Sequence, residues 1–428
     1  MTKGSRRIVL ATGGSLGDLH PVIALGKALA ARGCQAEIAT ARDYRLKVEA
    51  EGLVFHEVGP SLARLEADLG LNIAQLTDRI ARSDRFLFEE VMLPYAASST
   101  RQMIAASEGA ALIVGLSFAV GAAIAAERLG LAYVAVSLQP TTVFSAYDPP
   151  FLPRVPWLRP AQGGLQLWLN RTTLAIGRRT TASWTRRING VRRDLGVGPA
   201  AGDIFFDALA GADLALGLYS PVLGERQPDA RANFHVVGYA PYDSEAGGPP
   251  VLAEALRRFL HEGEPPIVFT LGSAVVNIAG DFYRQSLRAA RALGRRSVLL
   301  VGPGGDLGAA NGPDAIAVPY APYSLLFPRA AAVVHQGGVG TTQQALRAGR
   351  PQLVVPHLGD QHDNAARVRR LGAGLTLRRG RYAPDAEAAL SLLLGEPRFG
   401  LRADALGALT RDEDGAAAAA ELIVGMID

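Results

Sequence analysis

A chain of 428 residues, 49% hydrophobic and 20% charged, is long enough for two domains, each with its own core. Its 44 basic and 40 acidic residues leave a formal charge of +4 with no long basic tract, so nucleic acid is not an expected partner. Cys34 is the single cysteine, which excludes an internal disulfide and a cysteine-built metal cluster and suits a reducing cytoplasm.

Two segments imitate membrane signals. Arg6 and Arg7 precede IVLA, but Gly13, Gly14 and Asp18 end that run too early for a signal peptide. Residues 109–126 carry no charge, yet Ile113-Val114 is followed by small residues at helical spacing, the pattern of a buried strand entering a buried helix.

In chain order, RIVLAT is an apolar strand, the segment 13–17 a Gly-rich turn, and PVIALGKALAARG a helix opened by Pro21 and closed by Gly33. AEIAT follows as a strand, so the two strands pair in parallel through a right-handed crossover. ALIVG, AYVAVS, DLALGL and HVVG extend the same sheet. Residues 145–197 break the alternation with Pro, Arg and aromatics, and read as a loop and amphipathic helices inserted into the first domain. YAPYDSEAGGPP has a linker's composition. Beyond it the alternation restarts with PIVFTLGS, a helix, SVLLVG, AIAVPY, AAVVHQ and QLVVP.

The expected fold is α/β, with two doubly wound parallel-sheet, Rossmann-like domains facing a cleft at the C-terminal ends of their strands. The expected divisions are 1–240 for an acceptor-binding domain containing the insertion and 241–251 for the linker. Residues 252–411 form a nucleotide-sugar-binding domain, and 412–428 a terminal helix that packs back on the first.

The most informative stretch is VVHQGGVGTTQQALRAGRPQLVVPHLGDQHDNAARV. A strand ends at His335; Gly337, Gly338 and Gly340 permit a tight turn with close backbone approach, and Thr341 and Thr342 open a helix. Free N–H groups at such a start suit an anionic phosphate. Alone, the turn could equally be an ordinary strand-turn-helix. The next strand, however, delivers His357, Asp360, Gln361 and Asp363 to the same end of the sheet.

This stretch resembles the donor-binding signature of family 1 nucleotide-sugar glycosyltransferases, in the bacterial rhamnosyl-, macrolide- and sterol-glucosyltransferase branch. GGSLGDLHP, FPRAAAVVHQGG and the GS of TLGS also match that branch, whereas residues 145–197 do not. The resemblance implies the GT-B fold, an inverting mechanism and no metal or other cofactor. It also implies that His335 contacts the donor diphosphate, with Gly337, Gly338, Gly340 and Thr341 supplying the turn and its donors. Ser273 would reach the phosphates, Asp360 and Gln361 the sugar hydroxyls, and Tyr320 to Ser324 the nucleobase. The sequence departs from the branch at Gln336, where a second histidine is common, and at Gln343, where many members carry a ribose-binding glutamate.

A base is needed to deprotonate the acceptor hydroxyl. On pattern alone Asp18 reads equally as a base or as the N-cap of the helix near Pro21. The resemblance favours the base. His20 is the rival, but VGLSF offers Ser117 and Phe118 rather than an orienting carboxylate. His20, Ser117, Phe118 and Trp157 are therefore expected on the acceptor side, with a peripheral membrane contact open to the aromatic insertion. Asp412 and Asp414 read as a helix cap rather than a metal pair. His357 and His362 likewise lack a third metal ligand at obvious spacing. A phosphorylase would need a lysine in the second domain, and lysine occurs only at positions 3, 27 and 47. A sugar-nucleotide epimerase and a non-catalytic sugar-nucleotide-binding helper are the competing readings. The expected partners are a nucleotide-sugar donor and an apolar hydroxylated acceptor.

Overall fold

The first apolar run forms β1 (Arg7–Ala11), buried on both faces from Ile8 onward, as its uninterrupted hydrophobicity requires. β2 (Gln35–Thr40) and β4 (Leu112–Leu116) flank it in parallel, so that Leu10 lies between Ile38 and Val114. With β3 (Val54–Glu57), β5 (Ala132–Ser137), β6 (Leu214–Gly217) and β7 (Phe234–Val236) the order is β3-β2-β1-β4-β5-β6-β7, all parallel. The chain reverses its direction of winding between β1 and β4. This is the switch point at which open parallel sheets bind ligands.

A second parallel sheet comprises β8 (Ile267–Thr270), β9 (Ser297–Leu300), β10 (Ala315–Val318), β11 (Ala332–His335), β12 (Gln352–Val354) and β13 (Gly374–Thr376). Its order, β10-β9-β8-β11-β12-β13, puts the switch point between β8 and β11. The computed structural model describes residues 6–244, 247–305 and 308–428, so Glu245 and Ala246 of the linker segment lie outside the described residues. The chain divides into two units. One contains the residues up to Tyr242 together with Asp414–Asp428, and the other is Asp243–Glu413.

Within the first unit the terminal helix Gly415–Val424 inserts Ala416, Ala419, Ala420 and Ile423 into the core built by β1 and the Leu16–Ala30 helix. Asp414 caps it, its Oδ1 accepting the Ala417 N–H at 2.9 Å. The insertion contains one 31-residue helix, Gly164–Asp194, where several were expected. Asn170, Leu174, Thr181, Trp184, Ile188 and Arg192 are its buried residues, spaced three, four or seven apart along one face. Among the described residues no helix is long and apolar enough to cross a membrane.

Candidate active site

In the first unit the turn after β1 carries the two base candidates. The helix begins at Leu16, not at Pro21, because Ser15 caps it and Asp18, three residues on, completes a capping box. Asp18 Oδ2 accepts the Ser15 N–H at 2.8 Å and the Ser15 hydroxyl at 3.2 Å. Its Oδ1 accepts no hydrogen bond among the described residues. The carboxylate is thus a partner in the cap rather than the N-cap itself. Gly14, at φ +109°, makes room for it: a Cβ there would stand 2.5 Å from Asp18 Oδ2. Tyr44, which the sequence reading missed, steadies the turn by donating its hydroxyl to Gly14 O at 2.8 Å.

Burial pushes the Asp18 carboxyl above the usual carboxylate range, outweighing the opposing hydrogen bonds from Ser15. His20, two residues further along the helix, is held down to about 4, first by burial and then by the Lys47 ammonium. Its ring lies 4.9 Å from that of Tyr242 and makes no hydrogen bond among the described residues. It is a neutral, unoriented imidazole near neutral pH.

The acceptor-side candidates do not gather in one place. Ser117 follows β4 at the switch point, but its hydroxyl donates inward to Val136 O at 3.2 Å and faces the Ser137–Thr142 hydroxyl pair. Phe118 joins an aromatic cluster, edge-on to Phe88 at 5.4 Å and stacked on Phe205 at 5.8 Å. Trp184 completes that cluster, stacked on Phe88 at 4.5 Å. Trp157 stands apart, 49% exposed, with its Nε1 on Thr173 Oγ1 at 3.2 Å. A cavity of about 380 Å³ opens beside the cluster, lined by Phe144, Phe206, Leu174, Arg171, Arg178 and Arg231 among others. Of the hydroxyl network around Ser117 it reaches only Thr142, and none of Asp18, His20, Ser117, Phe118 or Trp157 lines it. Neither the cluster nor the cavity was legible beforehand, since Phe88, Phe144 and Phe205 are far apart in sequence and share no spacing.

In the second unit the loops after β8, β11 and β12 meet at the switch point. Gly337 is at φ +92°, and a Cβ there would fall 2.8 Å from Val354 Cγ1 and 3.0 Å from Gln361 O, so the turn demands glycine. Gly338 is the N-cap of the Val339–Arg347 helix and supplies no side chain to its free N–H groups. Gly340 is different: its φ is ordinary and a Cβ would enter open space. Nothing among the described residues requires glycine there. Thr341 and Thr342 are buried in the same first turn, with Thr342 Oγ1 on Gly338 O at 3.0 Å.

Asn364, missed in the sequence, ties the cluster together. Its Nδ2 donates to Gly337 O and to Asp360 Oδ2, both at 2.9 Å. Gln361 is buried, and its Oε1 accepts the N–H groups of His357 at 2.9 Å and Leu358 at 3.2 Å, pinning the loop after β12. Ser273 is exposed on the short helical turn Gly272–Val275 that follows β8. Tyr320 turns its hydroxyl to Asp243 O at 2.7 Å, while Asp243 Oδ2 accepts the Ser324 N–H at the same distance.

His335 sits beneath the turn rather than in it. It is fully buried, its Nδ1 accepts the Gly337 N–H at 3.0 Å, and its Nε2 lies 2.8 Å from Gln352 Oε1. Both ring nitrogens are engaged within the protein, and the histidine braces the backbone that shapes the turn. Among the described residues no three His, Cys, Asp or Glu side chains gather into a set that could hold a metal.

Two Rossmann-like units, each with its loops gathered at a switch point, define a protein of the glycosyltransferase GT-B class, and comparison with known proteins fixes the family. Residues 8–147 match the glycosyltransferase family 28 N-terminal domain, and residues 298–422 the erythromycin biosynthesis protein CIII-like C-terminal domain. The chain is 32% identical to O-mycaminosyltylonolide 6-deoxyallosyltransferase of Streptomyces fradiae, covering 97% of this chain and 96% of that protein. It is 30% identical to vancomycin aglycone glucosyltransferase of Amycolatopsis orientalis, over 98% of each. Among solved structures, the glycosyltransferase of kitacinnamycin superposes with a TM-score of 0.73 at 23% identity over 99% of both chains. Glycosyltransferase VinC in complex with dTDP does so at 0.71 and 20%, over 98% of this chain and 99% of that one. The chain belongs to family 1 of the glycosyltransferases and is a sugar-transferring enzyme related to those of macrolide and glycopeptide biosynthesis.

Proposed function

We propose that the enzyme moves a hexose or deoxyhexose from a UDP- or dTDP-sugar to a hydroxyl of an apolar small-molecule or lipid acceptor, in one inverting displacement that needs no metal. The observation that carries this reading is the helix start at Val339. Like several other helices of the chain it has no side-chain cap, but here the cap residue is Gly338, at the switch point of the sheet, and the space over Gly340 is open. Uncapped N–H groups and the helix dipole suit the diphosphate that leaves as the glycosidic bond breaks. Each well-placed donor at such a site is worth about 10² to 10³ in rate. Stabilising the leaving group with N–H donors removes the need for a divalent cation there.

On the other side of the reaction, Asp18 takes the proton of the acceptor hydroxyl. Its free Oδ1 is the accepting atom, and its raised pKa makes the carboxylate a stronger base than a solvated aspartate. A dTDP donor is supported by the dTDP-bound relative, and an apolar acceptor by the aromatic cluster around Phe118. The Gly164–Asp194 helix leaves Leu165, Trp168 and Ile176 exposed along one stripe, the surface on which a peripheral membrane contact would rest.

The test is transfer by the purified chain with UDP- and dTDP-sugars against hydroxylated polyketides, sterols and aromatic aglycones. The expected result is one nucleoside diphosphate released per glycoside formed. Tight donor binding with no glycoside from any acceptor class would favour the helper reading instead, and a changed sugar on recovered donor would favour the epimerase.

A further inference from the structure

We infer that the first unit holds a second binding site, separate from the switch point that carries Asp18, for a small carboxylate with an apolar body. The site is the cavity of about 380 Å³ beside the Gly164–Asp194 helix. Topology sets it apart. Ala215 and Phe234, which pair across β6 and β7, line it at the edge of the sheet, whereas the switch point lies between β1 and β4. Its walls at 206–210 and 229–231 lead into β6 and β7, while Asp18 and Ser117 follow β1 and β4 at the opposite end of the parallel sheet.

Two locally unfavourable features shape those walls. Phe144 is the one non-glycine residue at positive φ (51°) among the described residues. A bulky side chain holds that conformation only where its surroundings fix it, and such residues concentrate at ligand sites. Its ring packs on that of Phe206, centroids 4.6 Å apart. Gly177 interrupts the interior of the 31-residue helix, and a Cβ there would stand 2.6 Å from Phe206 Cζ. Both keep aromatic walls beside a space far larger than the voids of an ordinary interior.

The charges around the cavity select the ligand. Asp207 accepts from Arg178 Nη2 at 2.9 Å and from its Nε at 3.2 Å, which cancels that guanidinium. Asp229 accepts the Ser145 hydroxyl at 2.6 Å and the Ala146 N–H at 2.8 Å, so both its oxygens hold the loop after β5. Arg171 stands 6.0 Å from the centre of the Tyr147 ring, and neither it nor Arg231 forms an ion pair among the described residues. Three guanidiniums against two carboxylates leave a charge of +1 on the lining. That balance suits a monoanion, and the planar guanidinium fork suits a carboxylate. The phenylalanines and Leu174 receive its apolar part.

The test is titration calorimetry of the full chain with octanoate, with octan-1-ol as the uncharged control and octyl phosphate as the more highly charged one. Octanoate should bind at least about 10-fold tighter than octan-1-ol, and octyl phosphate no tighter than octanoate. From hexanoate to octanoate the affinity should rise by about fourfold per buried methylene. The double variant Arg171→Gln, Arg231→Gln changes two exposed positions, and an unchanged urea midpoint shows that it is folded. Its affinity for octanoate should fall by about 10- to 100-fold. Ala230→Phe, which fills the cavity, is the second variant and should abolish binding of octanoate and octan-1-ol alike. The inference is overturned if the wild type binds no octanoate, if octan-1-ol binds as tightly, or if octyl phosphate binds tighter. It falls too if both variants bind octanoate like the wild type, since the carboxylate then sits elsewhere, the acceptor side included.

Discussion

Asp18→Asn separates the chemistry of the first unit from its architecture. The asparagine oxygen can accept from the Ser15 N–H and hydroxyl as Oδ2 now does at 2.8 and 3.2 Å, so the capping box survives. Alanine would forfeit the cap contact, at a cost of about 1 kcal/mol. The Asp18 pKa is raised in the folded chain, so the stability this group contributes is complete below its unfolded pKa and is lost as pH rises through the folded value. Near neutral pH the wild type bears that loss and the asparagine variant does not. Its urea midpoint should therefore equal or exceed that of the wild type. What asparagine cannot do is take a proton. A positioned base contributes about 10² to 10⁴ in rate, or about 2.7–5.4 kcal/mol at about 1.36 kcal/mol per tenfold. Initial rates at saturating donor should fall by that factor with donor affinity unchanged. The acid limb of wild-type kcat/KM should also lie above the ordinary aspartate range. Retention of more than about a tenth of kcat would refute the reasoning and move the role to His20. A rate loss matched by a loss of stability would refute it equally.

Four further outcomes are expected. Gly337→Ala should destabilise the second unit by about 1–3 kcal/mol in denaturant titration, since it forces a positive φ on alanine and a contact with Val354. Gly340→Ala should leave the fold intact and raise the donor KM, because the added methyl enters only the space over the helix start; an unchanged KM would place the donor elsewhere. Asn364→Ala removes the bonds to Gly337 O and Asp360 Oδ2, and should cost about 1–3 kcal/mol together with donor affinity. Exhaustive treatment with a chelator should leave the transfer rate unchanged, and restoration of a lost rate by added magnesium would count against a metal-free displacement.

The fold was legible where burial on both faces made strands into uninterrupted apolar runs, as in RIVLA and AVVH. β3 and β13 went unread, one because it is half exposed and the other because three residues carry no periodicity. The first helix was begun five residues late. Pro21 suits a first turn, but the Ser-x-x-Asp pattern from Ser15 to Asp18 was the stronger start signal. That the His335 ring is held by the Gly337 N–H and Gln352 was not legible from spacing, since the orientation of a strand-end residue is fixed only by the backbone of the turn. Asn364 sits 27 positions from the carbonyl it holds, and no local pattern reports such a contact.

The central claim is a single displacement with Asp18 as base, and the anomeric configuration of the product tests it most directly. The glycoside formed from an α-linked dTDP- or UDP-glucose donor should show, by proton NMR, the large anomeric coupling of a β-glucoside. An α-glucoside would mean two displacements or front-side attack, and would contradict the assignment of Asp18 as the base of an inverting reaction.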